Sequence, residues 1–358
     1  MHGHRLHQAL GSPEAILGAD ARTVCEIANV GDDTARAILR GPDADVLEAE
    51  IEGIEQTGAE VYTFDDDRYP ENLRRCSAPP MLLYVAGEIR PDDGYAVVVV
   101  GSRATTQYGQ LACQKLVAEL VGAGVTVISG MAYGIDSVAH ETALRHGGRT
   151  LAVLAYGFRA KEAAPRLALR QRIAEQGAVV SEFPMAAIPA RYHFPIRNHT
   201  MAALGLATVV VEAGEKSGAL ITAEKALEEN RQVFAVPGDV TRQTSRGTNA
   251  LIREGALLAR DGKDVLADLG PQLSAMLRER ATGTSGVADV ADVAVADGLS
   301  ETARGILARV RRETVHLDLL HEELEGTGVD FGGLSAALLE LEMKGLVRHL
   351  PGNLYTVG

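Results

Sequence analysis

Two arginines, two aromatic residues and an amide stand close together between residues 191 and 198. They are Arg191, Tyr192, Phe194, Arg197 and Asn198. Guanidinium groups bind phosphates and aromatic rings stack on bases, so this combination predicts a surface that holds unpaired nucleotides. The alternative for Phe194, a place in the hydrophobic core, remains open on the sequence alone.

A second candidate loop is Gly101-Ser102-Arg103-Ala104-Thr105-Thr106, which stands between an apolar run and a helix predicted from about Tyr108. Glycine lets the backbone approach an anion, while the hydroxyls and the N-terminus of the helix supply hydrogen-bond donors. Arg103 would add a two-pronged contact to a phosphate or a base. The alternative is a helix cap beside a surface arginine.

A third loop, Ser129-Gly130-Met131-Ala132-Tyr133-Gly134-Ile135-Asp136, opens a helix that carries His140. Asp136 and His140 are four residues apart and would share a helix face. We expect Asp136 to act as an N-cap. A metal-binding or acid–base pair is the alternative.

Two nucleotide-binding motifs are missing from the chain. The segment Gly214-Glu215-Lys216-Ser217-Gly218 imitates a Walker loop but lacks its upstream glycine. No GxGxxG follows the first strand, so no dinucleotide is expected, and we predict no cofactor and no resident metal. Small and hydroxyl residues do recur at Glu212-Ala213-Gly214 and from Ser217 to Thr222, at another predicted strand-to-helix junction.

Six short, almost wholly apolar runs precede these loops and junctions. The predicted strands are 95–100, 125–128, 150–154, 178–180, 208–211 and 233–236. Strands of this kind, separated by helical stretches, predict an α/β fold with a Rossmann-like parallel sheet that is buried on both faces. Ligands bind such sheets outside the carboxyl ends of the strands, where the loops lie.

The two ends of the chain predict separate domains. Residues 1–60 read as short helices, and 30–39 resemble the second half of a helix-hairpin-helix, a weak candidate for phosphate binding. Residues 270–298 predict a flexible, acidic linker. Three helices and a hairpin then predict a C-terminal winged helix, 299–358, whose net charge of −3 favours contact with protein over duplex DNA.

The formal net charge of −13 is unusual for a protein that binds nucleic acid. A local excess is what a bound strand would feel, because charges act over a Debye length of roughly 10 Å. The segment 158–198 has seven basic and three acidic residues. An ordinary solvated helix face is the alternative for 166–172.

The cysteines and histidines argue against disulfides and metal sites, and the hydropathy argues against a membrane protein. Cys25, Cys76 and Cys113 are scattered with no His partner at ligand spacing, which argues against disulfides and structural zinc. His2, His4 and His7 fit a frayed terminus better than a metal site. No apolar stretch reaches the roughly 20 residues of a membrane span, and no secretory signal is evident, so we expect a cytoplasmic protein without membrane insertion.

The ordered set of motifs resembles the DNA-processing protein A (DprA/Smf) family. The segments that carry the resemblance are Val100–Arg103, Ser129–Asp136 with Ala139-His140, Ser181–Pro184, Phe194–Asn198, Glu212-Ala213 with Ser217–Ala223, Phe234–Gly238, Gly247–Asn249 and Leu251–Ala256. They span about 95–258. The chain departs from the family pattern at Arg197-Asn198-His199, where Arg-Asn-Arg is usual, and in 158–167, which lacks the usual Tyr-Pro after Gly157.

The resemblance implies a non-enzymatic protein that binds single-stranded DNA in a basic pocket, dimerises through its Rossmann-like domain and loads RecA recombinase in natural transformation. The positions it assigns to strand binding are Ser102, Arg103, Gly130, Arg191, Phe194, Arg197 and Asn198. It implies the domain order of a helical domain at 1–60 (SAM or helix-hairpin-helix-like), a Rossmann-like domain at 61–269, a linker at 270–298 and a winged helix at 299–358.

Two other classes remain open. A nucleotide-binding enzyme of the phosphoribohydrolase type could use Glu182 or Glu212 as acid or base, although the chain has no Gly-Gly-x-Gly-Thr loop. A purely structural adaptor would use the winged helix and would leave the loops unexplained.

Overall fold

The computed structural model describes residues 2–273, 300–310, 315–317, 319–320, 331–343, 347–350 and 354–357. Contacts divide the chain into two units, Met1–Met276 and Leu277–Gly358, and each is described by itself. None of the described helices is both long and apolar enough to cross a membrane. Most of the predicted linker, from residue 274 on, lies outside the described residues.

The first unit begins with five helices. They are α1 (His2–Leu10), α2 (Pro13–Leu17), α3 (Ala21–Ala28), α4 (Asp32–Arg40) and α5 (Ala44–Thr57). Leu6, Val24, Ala28 and Ala35 form a small buried core among the first four. The expectation of a frayed terminus is wrong, because His7 is buried and its Nε2 lies 3.0 Å from the Asp65 carboxylate.

A nine-stranded sheet forms the centre of the first unit. Its strands are β1 (Glu60–Thr63), β2 (Leu82–Gly87), β3 (Val97–Val100), β4 (Val127–Ser129), β5 (Thr150–Val153), β6 (Ala178–Ser181), β7 (Ala207–Val210), β8 (Gln232–Ala235) and β9 (Leu257–Leu258). The helices that follow or connect them are α6 (Glu71–Arg74), α7 (Gln107–Gly122), α8 (Ile135–Arg145), α9 (Ala164–Gln176), α10 (His193–Leu204), α11 (Gly218–Glu228), α12 (Arg246–Arg253) and α13 (Gly262–Asp268).

The strand order is β1-β2-β6-β5-β4-β3-β7-β8-β9. The six predicted strands, β3 to β8, are all present and parallel, which confirms the Rossmann-like core. The sequence interpretation missed β1, β2 and β9, and β2 pairs antiparallel with both of its neighbours. The chain leaves β3 towards β4 and later returns to β7 on the other side, so the switch point of the sheet lies between β3 and β7.

Alternate residues of β3 pack into different hydrophobic clusters. Val98 and Val100 face one cluster, which includes side chains of α10 and α11. Val97 and Val99 face the other, which includes side chains of α7, α8 and α13. Burial on both faces explains why these strands are uniformly apolar in sequence.

The second unit has the elements of a winged helix. They are α14 (Glu301–Val310), β10 (Val315–His316), α15 (Phe331–Met343), β11 (Val347–Leu350) and β12 (Leu354–Val357). The strands pair antiparallel in the order β10-β12-β11, and the apolar faces of α14 and α15 share one core with them. The predicted turn at 351–353 and most of the predicted helix at 317–325 lie outside the described residues.

Candidate nucleic-acid interface

The loop after β3 is held between two other elements at the switch point. The backbone N–H of Ser102 donates to the Glu212 carbonyl at 2.7 Å, and the Ser102 carbonyl accepts from Ile135 N at 3.2 Å. A Cβ at Gly101 would collide with the Ile135 side chain, so only glycine fits between them. The Arg103 side chain is therefore presented from a fixed backbone.

Arg103 and Phe194 meet at the surface, although they are far apart in sequence. The guanidinium carbon of Arg103 lies 5.1 Å from the centre of the Phe194 ring, within the range of a cation–π contact. Phe194 is half-buried: it packs against one hydrophobic cluster and also lines the cavities described below. The core alternative for its ring is thus partly borne out, and binding of a strand by the ring stays a prediction.

Two cavities open on either side of this pair. The larger one, about 850 Å³, is lined by the loops after β3 and β7, and includes Lys216, Ser217 and Arg246. The smaller one, about 260 Å³, is lined by Tyr133, Tyr156, Lys161 and Arg166 among others. Arg103, Phe194 and Arg197 line both cavities, and we call these three residues the ridge.

Sequence reasoning missed several residues that line the cavities. Lys216 belongs to the segment that imitates a Walker loop, and the structure places it in the larger cavity. Tyr133 is 67 % exposed, and the guanidinium carbon of Arg166 lies 5.4 Å from the centre of its ring. The basic excess of the segment 158–198 could have pointed to Arg166, whereas nothing in the sequence around Arg246 indicated a site.

Arg197 differs from Arg103 in its surroundings. It is 4 % exposed, and its guanidinium donates to the carbonyls of Gly130 and of Val153, the latter at 2.8 Å, and to Asn198 Oδ1 at 3.0 Å. Burial lowers the pKa of the Arg197 guanidinium, while the nearby Asp136 carboxylate opposes that shift. These bonds fasten α10 to the carboxyl ends of β4 and β5.

Gly130 and Asn198 support the same arrangement. A Cβ at Gly130 would overlap the Arg197 guanidinium, so glycine provides the space in which that group lies. Asn198 Nδ2 donates to the Gly218 carbonyl at 3.4 Å, which joins α10 to the start of α11. Arg191 is exposed just before α10 and lines neither cavity, so the structure does not bring it together with the other candidates.

The Asp136–His140 pair is not arranged as expected. Gly134, not Asp136, is the N-cap of α8, and the buried Asp136 carboxylate accepts from Ala132 N at 3.2 Å. Burial raises the pKa of Asp136, and Arg197 opposes this. His140 Nδ1 lies 2.8 Å from Thr150 Oγ1, so the two side chains have separate partners. The N-cap prediction is therefore wrong.

The two carboxylates of the enzyme alternative are also occupied. Glu212 is 2 % exposed and accepts from Thr106 N at 2.9 Å, Thr106 Oγ1 at 2.8 Å and Thr105 Oγ1 at 3.0 Å. Glu182 accepts from Thr200 Oγ1, and burial raises its pKa. Within the described chain, neither residue lines either cavity. Glu212 instead orders the turn that leads into α7.

A doubly wound sheet with a basic crevice at its switch point, in a chain that also has a winged-helix unit, defines a Rossmann-like class of protein, and such crevices are where these folds can bind anions. Comparison with protein families narrows this class. The model of DNA recombination-mediator protein A matches residues 60–270, and that of the DprA winged helix domain matches residues 291–353. The chain belongs to the DNA recombination-mediator protein A (DprA/Smf) family.

Individual relatives agree with this assignment. Protein Smf of Synechocystis is 35 % identical over 85 % of this chain and 82 % of its own length. The crystal structure of DNA processing protein A from Streptococcus pneumoniae superposes with a TM-score of 0.61 and 33 % identity, over 70 % of this chain and 86 % of that one. DNA processing protein A from Helicobacter pylori, described for its single-stranded DNA binding mode, superposes with a TM-score of 0.54 and 25 % identity. The match covers 60 % of this chain and 98 % of that one.

Proposed function

We propose that this protein binds single-stranded DNA at the ridge and its two cavities and acts as a recombination mediator. The observation that carries the proposal is the Arg103–Phe194 contact between the cavities, where a cation and a ring stand side by side on the surface. A phosphate at Arg103 and a base on Phe194 would use both groups at once. The relative from Helicobacter pylori, described as binding single-stranded DNA, supports this proposal.

The shape of the site favours an unpaired strand over a duplex. Concave cavities on both sides of the ridge can take bases that are splayed out, and a paired base cannot leave its stack without an energetic cost of a few kcal/mol. Ser102 also lines the larger cavity and lies in the same loop as Arg103. We assign Gly130 and Asn198, together with the buried contacts of Arg197, to the support of the Arg103–Phe194 pair, and Arg191 to the approach of the strand.

The finer parts of the proposal follow from the family. The protein would protect incoming DNA and load RecA recombinase onto it in natural transformation, in the cytoplasm and as a homodimer through the Rossmann-like domain. The winged helix would contact protein. No catalytic residue is part of the proposal, in keeping with the occupied carboxylates of Glu182 and Glu212.

The test is a fluorescence-anisotropy titration of the full chain against labelled oligo-dT and against the matching duplex, at two salt concentrations. We expect binding to the single strand alone, with an affinity that falls as salt rises, since each neutralised phosphate of a single strand contributes a slope of about −0.7 in log K against log salt. A folded protein that binds neither would overturn the proposal. Release of free base from nucleotides would favour the enzyme instead.

A further inference from the structure

Three side chains from distant parts of the sequence meet beside α10. They are Cys76, just after α6, His199 on α10, and Glu229, at the end of α11. Their ligand atoms, the Cys76 Sγ, a His199 ring nitrogen and a Glu229 carboxylate oxygen, all lie within 4.8 Å of one another. We call these three residues the Cys76 cluster.

The Cys76 cluster is shielded but within reach of solvent. Cys76 is 9 % exposed, and the side chains of His199 and Glu229 are 14 % and 7 % exposed. Burial, with the Glu229 and Glu182 charges nearby, raises the pKa of the Cys76 thiol to about 11. The three groups are thus largely shielded from solvent and face one another.

The carboxylate is already oriented towards the other two groups. Ser77 N donates to Glu229 Oε2 at 3.1 Å, and the Ser77 hydroxyl also donates to this carboxylate. His199 Nε2 lies 2.7 Å from Glu229 Oε1. Outer contacts of this kind hold ligands in place around metal ions, and their loss typically weakens metal affinity ten- to a hundredfold, roughly.

We propose that the Cys76 cluster binds a zinc-class divalent transition-metal ion through Cys76 Sγ, His199 Nε2 and a Glu229 carboxylate oxygen. Thiolate, imidazole and carboxylate are the ligands that zinc takes in proteins, and three of them leave a fourth tetrahedral position for water. On binding, a six-coordinate hydrated ion gives up five waters and keeps one, while bonds form to Cys76 Sγ, His199 Nε2 and a Glu229 oxygen. The thiol proton passes to solvent, and the His199 ring binds as the neutral tautomer with its proton on Nδ1.

The geometry requires only side-chain movement. Tetrahedral zinc, with bonds of about 2.0–2.3 Å, holds its ligand atoms about 3.3–3.8 Å apart. The 2.7 Å contact between His199 Nε2 and Glu229 Oε1 would therefore widen when the ion binds both groups, while Cys76 Sγ moves closer.

The ion would join the segment after α6 to the side of α10 and the end of α11. The same two helices carry the ridge residues Phe194 and Arg197 and the Ser217 border of the larger cavity. None of the three ligands lines either cavity, so metal binding and strand binding can be measured separately.

The experiment is a titration of the metal-free full chain with Co²⁺ followed by displacement with Zn²⁺. We expect one ion per chain, with thiolate-to-cobalt charge-transfer absorption and the visible bands of tetrahedral cobalt. Cys76→Ser should remove the charge-transfer absorption and weaken Zn²⁺ binding more than about a hundredfold, beyond the effect of losing an outer contact. His199→Gln should weaken it similarly.

Cys25→Ser is the matched control, because Cys25 is a partly exposed thiol on α3, outside the cluster, and should leave the spectrum unchanged. The histidines at 2, 4 and 7 could bind ions nonspecifically, but they cannot produce a thiolate band. If the variants fail to fold, zinc absorption fine structure of the wild type should show one sulfur at about 2.3 Å. No sulfur ligand, or a thiolate band that survives Cys76→Ser, would overturn the proposal whatever the DNA titration shows.

Discussion

Arg103 and Arg197 carry the same guanidinium group, but Arg103 is exposed and Arg197 is buried. The guanidinium of Arg103 lies beside the Phe194 ring. In Arg197, Nε and Nη1 donate to an amide oxygen and to two carbonyls, while the side chain also lines both cavities. A strand that arrives at the surface can therefore replace water around Arg103, whereas Nε and Nη1 of Arg197 are already held by the protein.

Arg103→Ala should weaken single-strand binding by about 1.5–3 kcal/mol, the usual contribution of hydrogen bonds to a charged group. The loss should be similar for oligo-dT and for mixed sequences, because a phosphate contact and a ring contact carry no base code. Anisotropy titrations of the variant at one salt concentration measure both effects.

Arg90→Ala is the control for this change. Arg90 is an exposed arginine that lies at the opposite edge of the sheet, between the end of β2 and the start of β3, and it pairs with Glu88. The Arg90→Ala variant should bind single-stranded DNA with the affinity of the wild type. Equal affinities for both variants would remove the loop after β3 from the site.

His140 predicts a pH dependence of stability. Burial lowers its pKa from 6.5 to about 3, and Thr150 Oγ1 already donates to the Val127 carbonyl, so His140 Nδ1 donates to Thr150 and the ring is neutral. The unfolded chain takes up the proton first. The free energy of unfolding should therefore fall as pH drops from about 6.5 towards about 3, by roughly 1.4 kcal/mol per pH unit.

The measurement compares the wild type with His140→Asn, in which Nδ2 can keep the bond to Thr150. Asp136 and Glu182, whose pKa values are raised by burial, contribute with the opposite sign in both proteins and cancel in the difference. Denaturant unfolding at several pH values should show a shallower slope for the variant below pH 6.5. Parallel curves would mean that His140 is protonated without cost in the native state.

At the scale of elements, α10 is the part that decides the geometry of the ridge. It presents Phe194 at its first turn and is fastened through Arg197 to the carboxyl ends of β4 and β5 and through Asn198 to α11. The space for Arg197 depends on Gly130, in the loop after β4. A side chain at Gly130 therefore acts on the helix, not on the ligand directly.

Gly130→Ala should destabilise the fold by about 1–3 kcal/mol, the usual cost of overpacking, and should also weaken single-strand binding because α10 moves. Chemical denaturation and the anisotropy titration measure these two effects. Gly122→Ala is the control: a Cβ there meets nothing within 4 Å, so stability and binding should stay near those of the wild type. A stable Gly130→Ala protein with full affinity would contradict this account of α10.

At the scale of the whole molecule, the two units have separate cores. Among the described residues, the buried clusters of the first unit end at Leu273, and the cluster of the second unit begins at Ala303. Both cavities are lined by residues of the first unit alone. The net charge of −13 is a property of the whole chain. The local charge at the candidate site is set by the ridge and by the basic side chains beside it.

A chain of residues 1–276 should therefore fold and bind oligo-dT with the affinity of the full chain. Circular dichroism and the anisotropy titration test this, with the full chain measured in parallel under the same salt. A folded but inactive fragment would assign part of the binding site to the second unit.

The sequence alone predicted the fold class and the loops after β3 and β4, whereas most of the segment 191–198 lies in α10 and not in a loop. Buried parallel strands must be apolar on both faces, so β3 to β8 were visible as uninterrupted runs, and the loops after them carry Ser102, Arg103 and Gly130. The antiparallel β1 and β2 were missed. β1 is an edge strand in which only Tyr62 of four residues is buried, so its apolar pattern is weak. β2 lies inside the sheet and buries Leu83, Tyr84 and Val85, so this reason does not apply to it.

Only the tertiary structure decided which of these residues are exposed beside the cavities and which contact each other. Arg103 and Arg197 are the same residue type in neighbouring motifs, yet one is exposed and the other is buried, because burial depends on which strands and helices pack around each side chain. The Cys76 cluster is a second arrangement that could not be predicted from the sequence. Its members are separated by more than a hundred residues and by thirty, so no spacing in the sequence revealed them, and the packing of α10 against α11 brings them together.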